Sequence, residues 1–110
     1  MAGQQALTKI KRIVDARYRP LVLPSPLNAM HAGDYRERMP KFTGEKGIPT
    51  EEHLESFYYY ADNLDIYKED VWMRFFLQSL DGEARKWFRN LPPRSIADID
   101  ALDDAFLKHW

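Results

Sequence analysis

The sequence predicts an all-α protein: a compact body of four helices after Pro49, preceded by an extended proline-rich connector and a short basic N-terminal helix. Three observations carry this expectation. Between Thr50 and Trp110, apolar residues recur at helical spacing in four separate stretches. Each stretch is bounded by residues that start or stop helices. Five of the seven prolines fall within residues 20–49, where their fixed φ and missing N–H exclude a continuous helix. With 110 residues, 45% of them hydrophobic, the chain has apolar material for one domain and too little length for two.

Residues 1–19 form the first segment. On a helical wheel Leu7, Ile10, Val14 and Tyr18 share one face, with Lys9, Arg12 and Arg19 opposite. Residues 1–20 sum to +4, so residues 21–110 carry −5 of the formal total of −1. The connector, residues 20–49, is too apolar for a free linker. Leu21, Val22, Leu23, Leu27, Met39 and Phe42 are expected to lie in part against the helical body.

The helical body spans residues 50–110. Thr50 reads as the cap of the first helix, with Glu51 and Glu52 in its first turn, where carboxylates complement the helix dipole. Leu54, Phe57, Tyr58, Ala61 and Leu64 share its inner face. A second helix is expected from about Lys68 to Leu80. Its Val71, Trp72, Met73, Phe75, Phe76, Leu77 and Leu80 cover most of the circumference, which makes it the central element. After Gly82, a third helix turns Ala84, Trp87, Phe88 and Leu91 inward and Arg85, Lys86 and Arg89 outward, until Pro92 and Pro93 end it. Asp98 caps the fourth, whose stripe is Ile99, Leu102, Phe106 and Trp110 with Leu107 at its flank. No stop signal follows that stripe, so the natural polypeptide is expected to continue beyond Trp110.

Composition narrows the functions. The near-zero net charge gives no overall field for a polyanion. The absence of cysteine removes disulfides, thiolate nucleophiles and the usual structural zinc sites. No apolar run approaches the ~20 residues of a membrane helix, and no secretory leader opens the chain, so an intracellular, cytoplasmic protein without a transmembrane segment is expected. His31, His53 and His109 are scattered and accompany no catalytic motif, so no catalytic residue, small-molecule substrate, cofactor or metal is expected. His53 among Glu51, Glu52 and Glu55 reads as part of a solvated first turn rather than a metal site. The acids Asp98, Asp100, Asp103 and Asp104 lack the ligand register of a calcium loop.

Two surfaces are candidates for contacts. Trp87 and Phe88 lie on an apolar arc with the cations facing away, which favours core packing over base stacking. Tyr59 turns off the stripe and Tyr60 lies at its edge. With Leu107 and Trp110 they form a candidate self-association surface, although scattered surface aromatics explain them as well. Lys9, Lys11, Arg12, Arg17 and Arg19 are candidate polyanion contacts.

Residues 39–110, from "MPKFTGEKGIPTEEHLESFYYYADNLDIYKEDVW" to "ALDDAFLKHW", resemble the Gag polyproteins of plant gypsy-type long-terminal-repeat retrotransposons. The resemblance opens on Pro40, Phe42 and Gly44 and continues through Leu54 and Phe57. It is densest at Phe76, Leu80, Gly82, Ala84, Trp87 and Leu91, then passes through Leu102, Phe106 and an aromatic at Trp110. Ile99 stands where the family often has Trp, and Trp110 where it often has Phe.

This resemblance implies a capsid-N-terminal-like helical domain that is not an enzyme and helps Gag chains self-associate into particles. Its expected partners are further copies of itself, and element RNA mainly through regions outside this chain. The Cys/His knuckle with which many members grip RNA has no counterpart here, because cysteine is absent. The alternatives are a host-retained, Gag-like adaptor that binds another protein between connector and helices, and a module that binds nucleic acid or anionic membrane weakly through the basic arm.

Overall fold

Pro49, extended at φ −61° and ψ 143°, holds the cap position of the first helix, so α1 spans Thr50–Asn63 and Thr50 is already helical. The computed structural model describes residues 9, 16–30, 35–45, 47 and 49–110. Most of the expected arm helix, including Leu7, Ile10, Lys11, Arg12 and Val14, lies outside the described residues, as does His31. Three more helices follow: α2 over Glu69–Gln78, α3 over Gly82–Arg89 and α4 over Ile99–His109. Among the described residues no strand forms, and extended backbone makes only two isolated parallel bridges, Leu21 with Ile96 and Phe42 with Leu80. The fold is therefore all-α, as the periodicity predicts.

Helix α2 is central. Val71, Trp72, Met73, Phe75, Phe76 and Leu77 are all buried, and α4 packs against both α1 and α2. The apolar residues leave one gap on α2. Asp70, Arg74 and Gln78, at i, i+4 and i+8, form a buried polar stripe that needs hydrogen-bond partners. The connector and Tyr18 at the end of the arm supply them. Asn28 donates its backbone N–H to Asp70 Oδ2 at 3.1 Å and its side-chain amide to Oδ1 at 2.7 Å. Arg74 donates to Asp70 Oδ2 at 3.0 Å and also to the Asn28 carbonyl. Gln78 donates to the Tyr18 hydroxyl and accepts from the Tyr35 hydroxyl, each at 3.2 Å, while Lys41 Nζ donates to its carbonyl at 2.9 Å.

Backbone bonds fasten the connector at two further points. Ile96 N donates to Pro20 O at 2.8 Å and Val22 N to Ile96 O at 2.9 Å, which lays residues 20–22 along the α3–α4 loop. Phe42 N donates to Ser79 O at 2.9 Å and Asp81 N to Phe42 O at 2.8 Å. That second ladder explains why α2 ends at Gln78 rather than Leu80: Leu80 is drawn into extended pairing with Phe42. Leu21, Met39 and Phe42 are buried parts of the connector, whereas Leu27 is exposed.

The inner arc of α1 is rotated from the expected one. Tyr58, predicted to face inward, is 43% exposed, and Tyr60, predicted at the edge, is buried. The cause is the connector, which covers the Tyr60 side of the helix and accepts the Tyr60 hydroxyl on the Tyr35 carbonyl. Trp87 also departs from its expected core position. It is half-buried, while Ala84 and Phe88 fill the core beneath α3. At the start of α4 the expected cap forms, with Asp98 Oδ1 accepting from Ala101 N at 2.8 Å.

Candidate functional site

The aromatic residues that carry the sequence resemblance form a connected chain that starts at Phe42. Its ring lies 5.0 Å from Phe106 and 5.6 Å from Trp110, both edge-on. Phe106 continues to Phe76 at 5.2 Å, and Phe76 to Phe57 at 5.2 Å. Trp87 reaches Phe106 and Trp110 at 6.1 Å each. Leu54, Leu80, Ala84 and Leu102 are buried around this aromatic chain, and Leu91 packs at its margin. Two glycines allow the chain to close over it. Gly44, at φ +84°, lies against the indole of Trp110, and Gly82, at φ +54°, opens α3 as Ala84 N donates to Thr43 O at 3.1 Å.

His53 belongs to this cluster, which its acidic sequence neighbours concealed. Glu51, Glu52 and Glu55 are exposed as expected, but His53 itself is 2% exposed. Its ring stands 5.1 Å from Phe42, 5.8 Å from Phe76 and 6.0 Å from Phe106. Nε2 shares a 3.0 Å hydrogen bond with Ser79 Oγ, whose hydroxyl in turn donates to Phe76 O. Burial pushes its pKa down from the ordinary 6.5 to about 4, so the imidazole is neutral at pH 7. A signal existed in the sequence, because His53 lies four residues before Phe57 on one helix face.

The four candidate self-association residues do not form one patch. Tyr59, 65% exposed, borders a groove of about 650 Å³ between the connector and α1, together with Tyr35, Arg38, Pro40 and Asn63. Tyr60 lies beneath that groove and is not free to contact a partner across its ring. Trp110 is half-buried and lines a separate recess of about 430 Å³ with Trp87, Leu91 and His109. Leu107 is 39% exposed on α4.

A feature that sequence reasoning missed is the crossing of α1 and α4. The Tyr58 hydroxyl donates to Asp103 Oδ2 at 2.6 Å, while Asp103 Oδ1 is buried without a partner. Burial raises the Asp103 carboxyl above its ordinary range and the charge of Asp100 adds to this, against the bond from Tyr58. The same burial and the Asp103 carboxylate raise the Tyr58 phenol.

Of the candidate polyanion contacts, Lys9, Arg17 and Arg19 are exposed, and Lys11 and Arg12 lie outside the described residues. His109 is exposed and stacks on Trp87 at 5.1 Å. Among the described residues, no three His, Asp or Glu side chains converge as a metal site would require, and no helix is long and apolar enough to cross a membrane. No family model, curated protein or solved structure matches this chain.

Proposed function

We propose that this chain is the capsid-N-terminal-like domain of a Gag polyprotein of the plant gypsy-type retrotransposon class, a non-enzymatic module whose work is self-association during particle assembly. One observation carries the reading. The residues of the resemblance, separated by up to 68 positions in the sequence between Phe42 and Trp110, form a single connected aromatic core closed by Gly44. An assembly domain needs a rigid body and side chains free to make repeated weak contacts, and the strapped helical core with exposed Tyr58, Tyr59 and Leu107 supports this reading.

Sedimentation velocity over a wide concentration range tests this. The chain should form weak, concentration-dependent oligomers, and a longer Gag chain that contains it should form particles visible by electron microscopy. A strict monomer in both lengths would remove the assembly reading.

The groove between connector and α1 favours a second reading, that of a protein-binding adaptor. It has the size to take a short peptide segment and combines Tyr59 and Pro40 with Arg38 and Asn63. A monomeric chain that retains a peptide in this groove, and loses it on Tyr59→Ser substitution, would support the adaptor in place of assembly.

A further inference from the structure

The balanced net charge of the sequence hides two opposed faces that only the fold assembles. Arg17, from the end of the arm, lies in one small cleft with Arg85 and Arg89 of α3, over Leu77, Leu80 and Phe88. Two exposed arginines adjoin it, since Arg19 stands near Arg17 in the sequence and Arg94 N–H donates to Arg19 O at 2.9 Å, which sets Arg19 and Arg94 side by side along the backbone. Arg85 is paired with Asp81, but among the described residues Arg17, Arg19, Arg89 and Arg94 have no acidic partner.

The second face lies where α1 crosses α4. Glu55, Tyr58 and Asp62 fall on one side of α1 at i−3 and i+4 spacing, and Asp100, Asp103 and Leu107 fall on one side of α4 in the same way. The Tyr58–Asp103 hydrogen bond joins the two rows. The result is an acidic rim around two exposed apolar side chains, Tyr58 and Leu107. The two faces look in different directions. On α3, Trp87 is the residue turned to Phe106 and Trp110, while Arg85 and Arg89 stand roughly 160° round the helix from it, away from α4.

From this arrangement we infer that the arginine face formed by the arm, α3 and the α3–α4 loop docks on the acidic Tyr58–Leu107 face of a second copy of the chain. The inference rests on the assembly reading and gives it a specific interface. Complementary charge identifies the occupant, since the chain carries both halves of the contact. Because the halves lie on different faces, the contact is heterologous, and each copy joined leaves one face of either sign open for the next. Exposed ion pairs are individually weak, so such an interface is strong only where many copies act together, as assembly requires.

The test is sedimentation velocity of the chain and two charge-reversed variants, Arg17→Glu/Arg89→Glu and Glu55→Lys/Asp100→Lys, all at exposed positions. Circular dichroism melting verifies that each variant folds, with Arg94→Glu and Asp62→Lys as replacements for one that does not. Parent association should loosen at least about tenfold between ~50 mM and ~500 mM salt. Each variant alone should be monomeric, and an equimolar mixture of the two should associate again, since each then presents the face that the other has lost. Association of the parent that ignores salt, or single variants that associate like the parent, would overturn this interface and leave the assembly reading standing on another. A parent that stays monomeric at low salt would remove both. A short oligouridylate that binds the arginine face, in a chain whose self-association the reversals do not alter, would reassign that face to nucleic acid and overturn the inference.

Discussion

The indole of Trp110 occupies the space in which a side chain on Gly44 would begin: a Cβ there would stand 2.5 Å from both Cη2 and Cζ3. The aromatic that caps α4 and the strap before α1 therefore leave no room for a side chain at position 44 unless the indole shifts, and the φ of +84° strains a substitution there a second time. Gly44→Ala is expected to destabilise the domain by ~2–4 kcal/mol, combining overpacking with a strained backbone. Thermal denaturation followed by circular dichroism measures it, and an unchanged melting temperature would mean that strap and helix do not pack in this way.

His53 predicts an acid dependence. With its pKa pushed down to about 4 by burial, the folded chain stays unprotonated through a range in which the unfolded chain takes up a proton at about 6.5. Stability is then full above pH 6.5, falls as pH is lowered, and levels off below about pH 4, with a total loss on the order of 3 kcal/mol. His53→Leu should flatten that interval in urea denaturation series. The carboxyls add dependences of their own. Asp70 is opposed by burial, but its bonds from Asn28 and the charge of Arg74 hold it below the ordinary range, so its contribution is lost only at lower pH. Asp103 is raised, so its effect has the opposite sign and is lost as pH rises.

The Asp70–Arg74 pair is buried, with both side chains less than a tenth exposed. Asp70→Ala would leave the guanidinium without its counter-charge and remove both bonds from Asn28 to the carboxylate, at a cost of ~3–5 kcal/mol. Asp70→Leu combined with Arg74→Met should cost clearly less than the sum of the two single changes, since no unpaired charge remains. Both forms should open the connector near Asn28 to limited proteolysis, because among the described residues the hydrogen bonds of Asn28 to α2 run through these two residues.

Truncation separates the arm from the fold. A chain starting at residue 23 should be less stable than one starting at residue 17 by roughly 2–4 kcal/mol, since it loses buried Tyr18 and Leu21 and the backbone pairing with Ile96. Equal melting temperatures would show that residues 17–22 contribute nothing to the body.

The four helices were legible in the sequence because each is amphipathic, and because Pro49, Gly82, Pro92 and Asp98 mark their ends. So was most of the core, including Phe57, Phe76, Leu102 and Phe106, since helical periodicity reports directly which face of an element avoids water. The candidate faces were less legible. Tyr58 and Tyr60 differ by only two positions on one helix, and which of them is covered depends on the connector lying on the Tyr60 side. His53, Asp70, Arg74 and Gln78 carry polar groups that a local reading assigns to water. Their burial became possible only when Ser79, Asn28, Tyr18 and Tyr35 arrived to satisfy them. Periodicity is a property of one segment and is written in it. The burial of a polar group depends on a partner from another segment, and the union of Arg17 with Arg89 or of Tyr58 with Asp103 depends on how the helices cross, so the tertiary structure alone decided them.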